Sequence, residues 1–208
     1  RSGRYAFVSD SPGLQGEGLE RLKAVLSAAN AAPARIVSAP GRESWLLGLA
    51  ASRVLGAPVT PWTPGAERGA LVVAWSMEHV PDDAFLSALA DHASGSRLFV
   101  HASSWVEPFS YAPDVTTLLH QTITHPYTGG ALRVDPETNA VRPSEPDTRP
   151  DEALVEEVIT APLTDPSKTT LEHVLAVTRA LAGVGLFTDE CPRLRQRAGG
   201  PVLSSRFA

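Results

Sequence analysis

Short runs of β-branched and aromatic residues alternate with longer segments of helical periodicity through the first half of the chain. This alternation is typical of βα units, in which parallel strands form a sheet and the connecting helices cover its faces. The predicted strands span residues 5–9, 34–38, 58–61, 70–75 and 97–102. The sequence therefore predicts an α/β fold with a three-layer, Rossmann-like (doubly wound), mostly parallel sheet of about five strands.

Helices are predicted between these strands over residues 16–31, 43–55 and 81–93. In the second helix, apolar residues recur at the i, i+3 and i+4 spacing of a buried stripe, and Gly56 is placed as a left-handed cap. Prolines favour an edge position for the strand at 58–61, whereas the continuous apolar run at 70–75 indicates burial on both faces.

The second half of the chain carries a weaker pattern. Residues 115–124 fit either a helix or a strand, so both remain open. The remaining predictions are a small hairpin from 131–134 and 140–142, an exposed linker at 143–150 with three prolines, and helices over 151–161 and 167–181. We expect one domain of 208 residues, with a βα core at 1–105, an irregular part at 106–150 and C-terminal helices and tail at 151–208.

Composition excludes several classes of function. A net charge of -5 and only two lysines argue against nucleic-acid binding, which depends on clustered basic residues. Arg193, Arg195 and Arg197 form one local basic group, which we interpret as a solvated tail. No apolar run reaches the roughly 20 residues of a membrane-spanning helix. The single cysteine, Cys191, excludes an intrachain disulfide and multi-cysteine zinc sites, and a cytoplasmic location is expected.

Polar and aromatic residues follow the predicted strands at the sheet edge where open α/β sheets bind ligands. We expect His79 and His101 to be acid/base groups, because imidazole titrates near neutrality, with Asp10 as a partner. The candidate ligand-binding residues are Ser9, Ser11, Arg42, Ser44, Trp75, Ser103, Ser104 and Trp105.

Each of these candidates also has a structural interpretation. Ser11 and Asp10 could cap the first helix, and the tryptophans could pack against the sheet end. Neither a G-x-G-x-x-G nor a Walker A sequence is present, so no cofactor is identified. His120 and His125 match no zinc-binding spacing, and no metal site is predicted.

Two functions remain open. The first is binding of an anionic or ring-bearing metabolite, such as a nucleotide or sugar phosphate. This function includes the case of an enzyme that acts on the bound metabolite. The second is a non-catalytic interaction or regulatory domain from a larger protein, with a protein partner or a second copy, which the missing initiator methionine and the proline-rich segment at 143–150 motivate.

Overall fold

The computed structural model describes residues 5–78, 80, 82–90, 95–106, 111–130, 132–135, 138–162, 168–183 and 193. The strands are β1 Tyr5–Ser9, β2 Ile36–Ser38, β3 Val59–Pro61, β4 Leu71–Ser76, β5 Arg97–Ser104, β6 Val115–Thr124, β7 Leu132–Val134 and β8 Val141–Pro143. The helices are α1 Pro12–Ala28, α2 Arg42–Leu55, α3 Asp83–Ala88, α4 Asp151–Thr160 and α5 Lys168–Gly183. Within these ranges, no helix is long and apolar enough to cross a membrane.

Six parallel strands form the main sheet in the order β1-β6-β5-β4-β2-β3, and β7 and β8 form the predicted hairpin. The predicted α/β class is confirmed, with one strand more than expected. The additional strand is β6, the segment for which helix and strand were both open. If β2 is numbered as the first strand and the sheet is read from β3, the strand order is 2-1-3-4-5. This is one of the two common orders of doubly wound sheets, and β1 is added next to the last strand, β6.

Helices cover both faces of the sheet. Leu71, Val73 and Trp75 of β4 pack into a core with α1, α2 and α4, whereas the alternate residues Val72 and Ala74 pack against α3 on the other face. Every residue of β4 is buried, as its continuous apolar run predicts. The three layers follow from this alternation, because successive side chains of a strand point to opposite faces.

Local sequence signals account for where the helices begin and end. Ser11 caps α1 by accepting a hydrogen bond from the Leu14 amide, with proline at the next position, so the helix begins four residues before the predicted start. Gly56 ends α2 in the left-handed conformation with φ of 70°, as predicted. Asp82 caps α3, which ends at Ala88, well before the predicted residue 93; residues 81 and 91–94 lie outside the described residues.

β6 has a different strand partner along each half. It pairs with β5 from Val115 to His120 and with β1 from His120 to Thr124. Thr117 of β6 is level with His101 of β5 in the sheet register. If β6 were straight, Thr124 would lie about 23 Å farther along the strand than Thr117. Asp10, whose amide donates to the Thr124 carbonyl, nevertheless contacts His101 through its side chain. β6 therefore curves, and its curvature brings the end of β1 over the ends of β5 and β4.

Arg193 corrects the interpretation of the basic C-terminal group as a solvated tail. Its side chain is fully buried, with Nη1 2.5 Å from Asp114 Oδ2 and Nη2 2.7 Å from the Ser96 carbonyl oxygen. The physical reason is a charge partner far away in sequence: Asp114 precedes β6, and only the folded chain brings the two together. Arg195 and Arg197 lie outside the described residues.

Candidate functional site

A polar cleft of about 380 Å³ lies where β1 and β6 end, close to the start of α1. We call it the edge cleft. It is lined by Ser9, Asp10, Ser11, Pro12, Thr124, His125, Pro126, Tyr127, Asp147, Arg149 and Glu157. Its volume is near the lower end of the range for small-molecule sites, which suits a small metabolite better than a dinucleotide.

Asp10 is buried at the base of the edge cleft and accepts four hydrogen bonds. Its Oδ1 accepts from the Ser11 amide at 2.8 Å and lies 3.2 Å from His101 Nε2. Its Oδ2 accepts from Trp75 Nε1 at 2.7 Å and from Gln15 Nε2 at 2.8 Å. A carboxylate has about four lone-pair sites, so the Asp10 carboxylate is saturated by protein donors.

The environment keeps Asp10 ionised. Burial works to raise the pKa of Asp10, but the charge of His101 and the hydrogen bonds from His101, Trp75 and Gln15 together hold the pKa below its usual value. A general base needs a free lone pair and a pKa near the working pH. Asp10 has neither, so its geometry suits positioning the surrounding groups rather than abstracting a proton.

His101 and Trp75 lie side by side behind Asp10, because their positions on β5 and β4 are level in the sheet register. The His101 side chain is completely buried, and its Nδ1 has no hydrogen-bond partner within the described ranges. That nitrogen faces Gly18 of α1, where an added Cβ would lie 2.9 Å from it. Gly18 therefore lets α1 pack closely over the imidazole.

His125 and Tyr127 form the part of the wall that follows β6. The Tyr127 amide donates to His125 Nδ1 at 3.2 Å, and His125 Nε2 lies 3.4 Å from the side-chain amide of Gln15. The His125 ring also packs edge-on against Trp75, with centroids 4.8 Å apart. Burial lowers the pKa of His125 to about 4, and burial raises the pKa of Tyr127, so both are neutral at pH 7.

The opposite wall is a charge cluster of Asp147, Arg149 and Glu157. Arg149 Nη2 lies 2.7 Å from Asp147 Oδ2 and 2.8 Å from Glu157 Oε2, and its Nε also donates to Asp147. Hydrogen bonds from Arg149 lower the pKa of Asp147. The segment is held in place by the Asp147 amide, which donates to the Tyr127 carbonyl, and by Arg42 Nη1, which donates to the Asp147 carbonyl at 2.7 Å. The predicted linker thus packs against the sheet edge.

The structure brings together some of the predicted site residues. Ser9, Asp10 and Ser11 line the edge cleft, and His101 and Trp75 support it from behind. Arg42 is outside the lining, with its guanidinium 3.5 Å from Asp151. His79 lies outside the described residues.

The other predicted residues lie away from the edge cleft. Ser44 is buried and accepts a hydrogen bond from the Trp75 amide, which is a structural contact. Ser103 is within 2.9 Å of the Thr116 hydroxyl, and Ser104 accepts from the Val106 amide. The Trp105 amide donates to the His120 carbonyl. None of these four residues lines the edge cleft.

His120 occupies a second buried position. It pairs with Ser104 on one side and Tyr5 on the other, and its ring nitrogens have no hydrogen-bond partner among the described residues. Burial lowers the pKa of His120. Its ring is therefore neutral at pH 7. Within the described parts of the chain, no three His, Cys, Asp or Glu side chains are grouped as a metal site requires.

Eight of the eleven lining residues were not predicted, and the sequence signals for them differ. His125 directly follows β6, so the same strand-end rule that found Asp10 would have found it had β6 been recognised as a strand. Asp147, Arg149 and Glu157 come from the linker and α4, and only tertiary packing places them here. Comparison with protein-family models, curated proteins and solved structures finds no match for this chain.

Proposed function

We propose that this protein binds a small polar metabolite in the edge cleft. The observation that carries the proposal is the preorganised base of the cleft, where Asp10 is fixed by donors from β4, β5 and α1 and by the amide of the capping residue Ser11. Rigid polar groups set into one concave surface favour binding, because little ordering entropy is lost when a ligand arrives. The candidate ligands are nucleotides and sugar phosphates, or the corresponding nucleosides and free sugars without phosphate.

The groups in the cleft support binding more directly than they support catalysis. Asp10 is saturated, and His125, with a pKa of about 4, is a weak base at neutral pH. Arg149 and Glu157 retain exposed surface, at 51% and 42% of their side chains, and can contact a bound molecule. The proposed role of the buried pair Asp10 and His101 is to hold the ligand-contacting wall in position.

Thermal unfolding with a metabolite panel tests this proposal. A ligand present at 100 times its Kd stabilises the native state by about 2.7 kcal/mol, which raises Tm by roughly 5–10 °C for a chain of this size. The exposed Ser9 lines the cleft, so Ser9→Trp should fill it and abolish the shift, while Ser27→Trp on the exposed surface of α1 should leave the shift unchanged.

The variant Glu157→Gln offers a gentler perturbation of the opposite wall, with Glu152→Gln as its matched control on the same helix. A panel of sugars, nucleosides, nucleotides and carboxylates that produces no shift in the unmodified protein would contradict the proposed function. Shifts that are equal in the Ser9→Trp and Ser27→Trp variants would place the ligand somewhere else.

A second candidate function is interaction with a protein partner. Val174 and Val177 of α5 are 44% and 58% exposed and lie three residues apart, on one side of the helix. Light scattering of the protein and of Val177→Asp would test whether this surface mediates association. A strict monomer at high concentration for both proteins would argue against a second copy as the partner.

A further inference from the structure

The charges that line the edge cleft are already compensated within the protein. The Asp10 carboxylate is saturated by its four donors, and the Asp147 carboxylate accepts from the Arg149 amide, Nε and Nη2. Glu157 shares the same guanidinium through Oε2. Among its described lining residues, the cleft therefore contains many polar atoms but no cation without an acidic partner.

The charges in this arrangement disfavour an anionic ligand. The start of α1 is the natural place for a phosphate, but the Asp10 carboxylate already accepts from the Ser11 amide there, and Ser11 Oγ accepts from Leu14. Three carboxylates and one guanidinium line the cleft, so the local field opposes a second anion. Arg42, the other nearby cation, bonds the Asp147 carbonyl and faces Asp151.

A cationic ligand meets the opposite difficulty. It would have to share the two carboxylates with Arg149, whose Nε and Nη2 are directed at both of them. Displacing that guanidinium leaves its charge without a partner. The gain from the new ion pair is therefore offset by the loss of the existing one.

The polar atoms that remain include both donors and acceptors. Arg149 Nη1 and Glu157 Oε1 make no hydrogen bond within the described ranges, and the Ser9 side chain is exposed at the same cleft. Ser11 Oγ accepts one bond and keeps its own proton to donate. A hydroxyl group can donate to Glu157 and accept from Arg149 or Ser11 at the same time.

We infer that the ligand of the edge cleft is an uncharged, hydroxyl-rich molecule, with the chemistry of a free sugar or of a nucleoside ribose, rather than its phosphate ester. This inference rests on the proposed function, because it names the ligand class of the same site. It predicts that each phosphorylated compound binds more weakly than its unphosphorylated counterpart.

Calorimetric titration with matched pairs tests the inference on the intact chain. The probes are ribose and ribose 5-phosphate, glucose and glucose 6-phosphate, and adenosine and adenosine monophosphate, with glucosamine as the cation. We expect at least one neutral compound to bind, its phosphate ester to bind about tenfold more weakly, and glucosamine to bind no more tightly than glucose. Glu157→Gln should narrow the difference within a pair, whereas Glu152→Gln should leave it unchanged.

The failures of the inference and of the proposed function are distinguishable. A phosphate ester or glucosamine that binds more tightly than its neutral counterpart, and whose binding is lost in Ser9→Trp, overturns the inference and leaves the proposed function standing. If no compound binds, or if binding survives in Ser9→Trp, the edge cleft is not the site and both are overturned.

Discussion

Replacing Asp10 by asparagine tests whether this residue organises the base of the edge cleft. The change removes one charge and keeps nearly the same shape. The asparagine side chain has one carbonyl oxygen, which can still accept from the Ser11 amide and His101, and an NH₂ group where Oδ2 now accepts from Trp75 and Gln15. Gln15 can rotate its amide and offer Oε1, which has no hydrogen-bond partner among the described residues.

The expected cost follows from the donors that remain. Trp75 Nε1 keeps no acceptor, and one buried unsatisfied donor costs about 1–3 kcal/mol. The bonds from Ser11 and His101 change from charged to neutral acceptors, which weakens each by about 1 kcal/mol. Together these give a loss of about 3–5 kcal/mol, large compared with the about 5–15 kcal/mol stability of a typical domain. The corresponding fall in Tm is roughly 6–20 °C.

Urea unfolding of the Asp10→Asn variant, monitored by tryptophan fluorescence, measures this loss. Asp83→Asn is the control, because Asp83 is exposed at the start of α3 and should change the stability by less than about 1 kcal/mol. The pKa of Asp10 is lowered in the folded protein, so its stabilisation is present above the unfolded value of about 3.9 and lost as the pH falls below it. A variant that matches the unmodified protein within about 0.5 kcal/mol at pH 7 would refute the reasoning.

Three further predictions concern other buried groups. Arg193→Leu should cost about 3–5 kcal/mol in urea unfolding, because it removes a buried guanidinium that bonds the Asp114 carboxylate and the Ser96 carbonyl oxygen; a loss below about 1 kcal/mol would contradict the buried position of Arg193. Gly18→Ala should lower Tm despite the better helix propensity of alanine, because the added Cβ would lie 2.9 Å from His101 Nδ1; a rise in Tm would contradict this packing. Burial lowers the pKa of His125 from 6.5 to about 4. Between these two pH values the unfolded chain binds more protons than the folded chain. The free energy of unfolding should therefore fall by about 3 kcal/mol as the pH is lowered through this range. His125→Asn should remove this pH dependence, and an equal slope in both proteins would argue that His125 titrates normally.

Much of the fold could be predicted because its strands and helices are encoded locally. The buried strand β4 is a continuous apolar run, and Gly56 ends α2 where its left-handed conformation is needed. β6 could not be assigned because burial does not alternate regularly along it, and its two halves pair with different strands. The sequence therefore left this segment open between helix and strand, because tertiary geometry decides its structure.

The candidate site could be predicted only in part for a related reason. Asp10, His101 and Trp75 lie at or near the ends of strands that local patterns reveal, so the strand-end rule could identify them as neighbours at one edge of the sheet. Asp147, Arg149 and Glu157 reach the cleft through packing of the 143–150 segment, and no local pattern encodes that packing. The role of Asp10 was also hidden, since only the structure shows its four donors.

A nuclear magnetic resonance titration tests the central claim, that the edge cleft over Asp10 binds a small hydroxyl-rich ligand, most directly. The resonances to follow are the His125 ring, which lines the cleft, and the Trp75 indole Nε1, which donates to Asp10. His173 on the exposed surface of α5 and Trp62, whose Nε1 bonds Glu67, serve as internal controls. We predict that a neutral sugar or nucleoside shifts the resonances of His125 and Trp75 in a saturable manner. The resonances of His173 and Trp62 should not shift. Unchanged His125 and Trp75 resonances across the whole panel would contradict the claim.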